Sequence, residues 1–139
     1  MPVETKHIQI NTEGNCDVID ITHHVIEAVA DSGLSSGTVT VFVPGSTAGV
    51  TTIEFESGAV NDLKEVFSRL VPENDFYAHN ARWGDGNGHS HIRASILGPS
   101  ISIPFSSSRL ILGTWQQIIL VDFDNRPRDR EIILQILGE

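Results

Sequence analysis

Thr38-Val39-Thr40-Val41-Phe42-Val43-Pro44-Gly45-Ser46-Thr47-Ala48-Gly49-Val50-Thr51-Thr52-Ile53-Glu54-Phe55 holds two β-branched runs on either side of a Pro-Gly turn. β-branched side chains suit the pleated surface of a sheet, while Pro and Gly break it. The stretch predicts two consecutive strands joined by a short glycine-bounded turn. Similar runs follow at residues 101–103, 109–112, 117–123 and 131–137, and one precedes at 6–10. Two segments carry helical spacing instead. Val25, Ile26, Val29 and Ala30 form one stripe, capped by Asp20 or Thr22 and stopped by Gly33. Val60, Leu63, Val66, Phe67 and Leu70 form the other, ended by Pro72.

Asn87-Gly88-His89-Ser90-His91-Ile92-Arg93-Ala94-Ser95-Ile96-Leu97 is read as a further strand. Alternation would place Ser90, Ile92, Ala94 and Ile96 on a core face, and His89, His91, Arg93 and Ser95 on the other. The total is about eight strands and two amphipathic helices in one domain spanning residues 1–139. That pattern is an α+β fold with a largely antiparallel sheet or sandwich. Asp75 to Gly88 has no period and reads as a long loop, of the kind that often carries function.

Composition narrows the function. The formal net charge is −9, from nine Lys plus Arg against eighteen Asp plus Glu, which argues against a nucleic-acid partner. Seven of the nine cations are arginines, which suit carboxylate and phosphate. No apolar run is long enough to span a membrane, and Met1-Pro2-Val3-Glu4-Thr5-Lys6 lacks the layout of a secretion signal. The expected setting is cytoplasmic, without a membrane. The single cysteine, Cys16, excludes an intrachain disulfide and reads as a half-buried apolar residue with a raised thiol pKa.

His79, His89 and His91 fall within thirteen residues, enough imidazoles for a divalent ion such as Zn²⁺ or Mg²⁺. Asp85 or Glu54 would complete or orient that shell. Glu54, a carboxylate within an apolar strand, is a candidate acid–base or metal group. Ser46 and Thr47 sit on a turn able to present donors to an anion. Arg93 shares the predicted histidine face, and Arg109 follows three serines. Thr114 and Gln116 flank Trp115 after Gly113, where the glycine suggests a bulge. Arg126, Arg128 and Arg130 alternate near Asp122, Asp124 and Asp129, and salt bridges at a surface or subunit contact account for them.

Several motifs occur together in order. They are Ser46-Thr47-Ala48-Gly49-Val50-Thr51, Glu54, Leu70-Val71-Pro72, Tyr77-x-His79, and Asn87-Gly88-His89-Ser90-His91. Leu97-Gly98-Pro99-Ser100, Ile103-Pro104 and Arg109-Leu110-Ile111-Leu112-Gly113-Thr114-Trp115-Gln116 complete them. The chain resembles the YjbQ-type family, often described as secondary thiamine-phosphate synthases. That resemblance implies a compact α+β domain that assembles as a homotrimer, with pockets near subunit contacts. It also implies a transferase side activity that joins a pyrimidine pyrophosphate to a thiazole phosphate. Carried onto this chain, it implies pocket roles for Ser46, Thr47, Glu54, His79, His91, Arg109, Thr114 and Gln116. Two positions depart: Gly45 stands where members often have histidine, and many members have no histidine at position 89. Combined with the residue reading, Glu54, Arg109 and His91 are expected to be catalytic. Ser46, Thr47, Arg93, Thr114 and Gln116 would bind a small anionic metabolite, and His79, His89 and His91 a metal. The alternatives are a non-catalytic trimer binding a metal or phosphometabolite, and a metal-dependent hydrolase.

Overall fold

Ile118-Ile119-Leu120-Val121 is apolar at every position, so a strand built from it needs cover on both faces. The computed structural model, which describes residues 2–139, provides that cover. Its elements run β1 (Val3–Thr12), β2 (Asp17–Asp20), α1 (Thr22–Ser32), β3 (Gly37–Phe42), β4 (Ala48–Ile53) and α2 (Ser57–Leu70). They continue with α3 (Ala78–Trp83), α4 (Gly88–Leu97), β5 (Ser100–Ser106), β6 (Arg109–Leu110), β7 (Gln117–Asp122) and β8 (Arg128–Gly138). Five strands form one sheet in the order β1-β8-β3-β5-β6, and three form another in the order β2-β7-β4. Every strand pairing is antiparallel.

The central strand β7 divides two cores by its alternation. Ile118 and Leu120 face the larger sheet, packing with Val39, Val41, Ile132, Leu134 and Ile136, and with Val25 and Val29 of α1. Ile119, Val121 and Phe123 point the other way, toward Phe67 of α2, Ala94 of α4 and Cys16. Phe67 meets Phe123 edge-on, with ring centroids 4.8 Å apart. The molecule is therefore sheet on sheet, with α2 and α4 on the outer face of the smaller sheet and α1 packed into the core on its other side.

This is the expected α+β class with eight strands, but one strand is a different segment. The histidine stretch is a helix, α4, and β2 supplies the eighth strand instead. Along α4, His89, Ser90, Arg93 and Ala94 are buried, which is helical spacing, while Ile92 and Ile96 are exposed at 46% and 59%. The apolar residues thus mark the solvent face, and the two-residue alternation was coincidental. Local chemistry permits the helix to start here. The Gly88 N–H donates to Asn80 Oδ1 at 2.8 Å, and a Cβ on Gly88 would lie 2.5 Å from Tyr77 Cβ. At the other end, the Val50 N–H donates to the Gly98 carbonyl at 3.0 Å. Gly49 makes that approach feasible, since a Cβ there would lie 2.7 Å from the same oxygen. The C-terminus of α4 is thereby seated on β4, close to the 44–47 turn.

Other boundaries also shift. The segment 75–88 contains α3, the predicted strand at 109–112 shortens to β6, and Glu54 lies just beyond β4 in exposed chain. Helix α1 ends as expected, with Gly33 at φ 72° and its N–H on the Ala30 carbonyl. The helix α2 is capped by Glu56, whose carboxylate accepts from Gly58 and Ala59 N–H at 2.7 Å each.

Candidate functional site

Asp122 at the end of β7 lies opposite Ala48 at the start of β4, so β7 delivers its carboxylates to the 44–47 turn. Asp122 and Asp124 are fully buried, and burial of a carboxylate requires a partner. Arg130 of β8 grips Asp122 with a two-pronged contact, Nε to Oδ2 at 2.8 Å and Nη2 to Oδ1 at 2.9 Å. Arg130 Nη2 also donates to Thr47 Oγ1 at 2.7 Å, and Thr47 Oγ1 donates onward to Asp124 Oδ2 at 3.0 Å. Arg128 Nε binds the same Asp124 oxygen at 2.8 Å. Burial by itself would push the Asp124 carboxyl up. Donors from the Asn125 backbone, Asn87, Arg128 and Thr47 outweigh it and hold the group below the usual carboxylate range.

Asn87 connects this charged wall to the imidazoles. Its Nδ2 donates to Asp124 Oδ1 at 3.3 Å, and its Oδ1 lies 3.0 Å from His79 Nε2. Turned over, the amide nitrogen would reach Asp85 Oδ1 and His79 Nε2 at 3.0 Å each. Either way the amide oxygen meets a carboxylate, Asp85 in the first orientation and Asp124 in the second, while Asn87 bridges His79 and Asp124 in both. His79 Nε2 lies 3.0 Å from the Asn87 amide and 3.3 Å from Asp85 Oδ1, so both groups hold that edge of the ring. A histidine with one nitrogen held by such partners has its ring fixed and its other nitrogen free for a ligand.

His79 of α3 and His91 of α4 face each other with ring centroids 4.3 Å apart. They border a cleft of about 460 Å³ whose other walls include Gly45, Ser46, Thr47, Trp83, Asp85, Arg128 and Arg130. A second hollow of about 190 Å³ shares Gly45, Ser46 and His91 with it. The cleft thus joins two imidazoles, two hydroxyls and two guanidiniums on a fixed frame.

Of the predicted site residues, His79, His91, Ser46 and Thr47 come together here, and the others do not. His89 and Arg93 lie one turn apart on the buried side of α4. Arg93 Nε donates to the Val71 carbonyl at 2.9 Å, and His89 is 2% exposed with no partner for Nδ1. Burial, then Arg93, push the His89 pKa down, against smaller opposing effects of Glu73 and Asp124. Glu54 is exposed beyond the far end of β4, away from the imidazoles. Arg109, Thr114 and Gln116 line a separate cleft of about 380 Å³. Gln116 Nε2 donates to Thr52 Oγ1 at 3.0 Å. At about 3.3 Å per residue, the two ends of β4 are about 17 Å apart.

The expected metal triad is likewise not assembled. His89 is turned into the protein, and among the described residues no three His, Cys, Asp or Glu side chains are set to hold an ion. The two imidazoles fall short of the three protein ligands usual in a catalytic zinc site. Cys16 is buried, and that burial pushes its thiol up, as expected.

Asn87, Asp124, Arg130 and Trp83 were not assigned to the site from sequence. The signal was the pair of two-residue steps, Asp122 to Asp124 and Arg128 to Arg130, flanking one turn. Such steps place both members on one side of extended chain. The salt bridges expected of these residues form, but they are buried in the cleft wall rather than spread over a surface.

Residues 6–139 match the model of the family described as UPF0047 protein YjbQ-like. The chain belongs to the YjbQ-like UPF0047 family. The whole cleft lies within those matched residues. A UPF0047 protein of Methanocaldococcus jannaschii is 35% identical over 132 residues, covering 94% of this chain and 92% of the relative. Bacillus subtilis YugU, also a UPF0047 protein, is 34% identical over 134 residues, covering 96% and 98%. Among solved structures, a YbjQ-like protein of unknown function from Sulfolobus solfataricus superposes with a TM-score of 0.94 at 33% identity, covering 99% of both chains. A hypothetical protein from Aeropyrum pernix gives 0.91 at 36% identity, covering 98% and 99%.

Proposed function

We propose that this YjbQ-like chain binds a small phosphorylated metabolite in the cleft between His79, His91 and the Arg128–Arg130 wall. The facing imidazoles transfer a proton to or from it. The observation that carries this reading is the His79–His91 contact, 4.3 Å between ring centroids, at the mouth of a guanidinium-lined cleft. His79 has Nε2 held against Asn87 and Asp85, so Nδ1 is the nitrogen left for chemistry. A paired base and acid of this kind contributes about 10²–10⁴-fold to a reaction.

The specific reaction proposed is the synthase side activity suggested by the sequence resemblance. A carbon–nitrogen bond forms between thiazole phosphate and pyrimidine as the carbon–oxygen bond to pyrophosphate breaks. The bonding electrons leave with pyrophosphate, whose charge the arginines and hydroxyls accept. Arg109, Thr114, Gln116 and Glu54 have no part in this reading, because they lie at the other end of β4. A divalent ion, Zn²⁺ or Mg²⁺, is carried as a separate proposal, tested by elemental analysis of the purified protein and its H79A and H91A variants. Trimer assembly rests on large apolar side chains left at the surface, Trp83 at 67%, Phe76 at 78% and Trp115 at 71% exposed. Light scattering checks it, with about three times the chain mass of 15.2 kDa expected. The buried free thiol of Cys16 accords with a cytoplasmic setting.

The test is pyrophosphate release from the two thiamine precursors by wild type, H79Q and H91Q. Release dependent on both precursors, and lost in both variants, is the expected result. Release without the thiazole phosphate would indicate a hydrolase, and precursor binding without release a non-catalytic binder. Equal release by all three proteins would overturn the site.

A further inference from the structure

Arg130 is only 9% exposed, yet it is not fully bonded. A guanidinium has five N–H donors. Nε donates to Asp122, and the two on Nη2 go to Asp122 and Thr47, while Nη1 has no protein acceptor among the described residues. The grip on Asp122 fixes the plane of the group, so the direction of Nη1 is fixed too. It faces Gly45, where a Cβ would lie 2.9 Å from Nη1. Gly45 adopts φ 151°, a backbone conformation that side-chain-bearing residues avoid, and it borders both the 460 Å³ cleft and the 190 Å³ hollow.

We infer that Gly45 and Arg130 Nη1 form an oxyanion seat, which selects the charged end of the ligand. The missing side chain leaves room for one oxygen of a phosphoryl or carboxylate group against two donors already oriented by the Asp122 grip. Such charge-assisted bonds are short and strong. Ser46 borders the same space. The remainder of the ligand would lie past His91 in the smaller hollow, where Ala48, Ala94 and Pro99 supply no charge. The ligand class is therefore a small molecule with one oxyanion head and an uncharged body. This rests on the cleft being the binding site and adds which atoms choose the head group.

Calorimetric titration with inorganic pyrophosphate and, separately, malonate tests the seat on wild type, G45A, H79Q and R130K. Circular dichroism melts accompany each variant. Wild type should bind at least one probe, and G45A, folded, should weaken it by tenfold or more by filling the seat. R130K should weaken it as well, since lysine cannot keep both the Asp122 grip and the free donors. Whichever probe shows the loss identifies the head group. Binding that survives in G45A but falls in H79Q would overturn the seat while leaving the cleft in place. Absence of binding by wild type to either probe would overturn both.

Discussion

The two ends of the three-stranded sheet offer the same kinds of side chain in opposite conditions. At the Ala48–Asp122 end, Arg128, Arg130, Thr47 and Asn87 are locked by buried carboxylates, and Asn87 in turn holds His79 beside His91. At the Ile53–Gln117 end, Arg109, Thr114 and Gln116 line a smaller cleft where Arg109 is exposed and has no ion pair among the described residues. Residue type alone makes both ends candidates. Preorganisation separates them, because oriented polar groups in a partly dry cleft act on a ligand without first rearranging.

The largest expected effect contrasts the two ends directly. His91→Gln should lower precursor-dependent pyrophosphate release by about 10²–10⁴-fold, while Arg109→Ala and Glu54→Gln leave it unchanged. A loss in either of the latter would return the far end to the site. Next comes stability. Asp122→Asn strands a buried guanidinium and should cost about 3–5 kcal/mol in urea unfolding. Arg109→Ala, at the exposed end, should cost less than about 0.5 kcal/mol. Equal costs would mean that the first end is no more fixed than the second.

Much of this was legible in the chain. The β-branched runs and the apolar continuity of residues 118–121 gave the sheets, because burial on a pleated surface leaves a local record. The record failed at α4, where the buried residues are polar and the exposed ones are Ile92 and Ile96. Tertiary contacts there reversed the usual rule, and a two-residue alternation of histidines resembled a strand. The site was half visible. His79, His91, Ser46 and Thr47 stood out by chemistry, whereas Asn87 and Arg130 matter through partners distant in sequence, Asp124 and Thr47. Spacing cannot show such partners.

Smaller effects sharpen the same contrast. Asn87→Ala removes the link between Asp124 and His79 and should cost about 1–3 kcal/mol in stability. It should also release the His79 ring, broadening its NMR signals. The His89 pKa is lowered on folding, chiefly by burial. The unfolded chain therefore takes up the proton first as the pH falls below the ordinary histidine value of about 6.5. The His89 contribution is complete above that pH and declines below it, toward the lowered folded pKa. His89→Leu should accordingly lose less stability than wild type between about pH 7.5 and about pH 5.5 in urea unfolding. An equal loss would show that His89 does not sense acid.

The decisive measurement is an NMR titration of the wild-type protein with pyrophosphate, following the imidazole resonances and the indole N–H of Trp115. Movement of His79 and His91 with a still Trp115 is the expected outcome. A responding Trp115 with unmoved imidazoles would place the ligand at the other end of β4 and contradict the assignment.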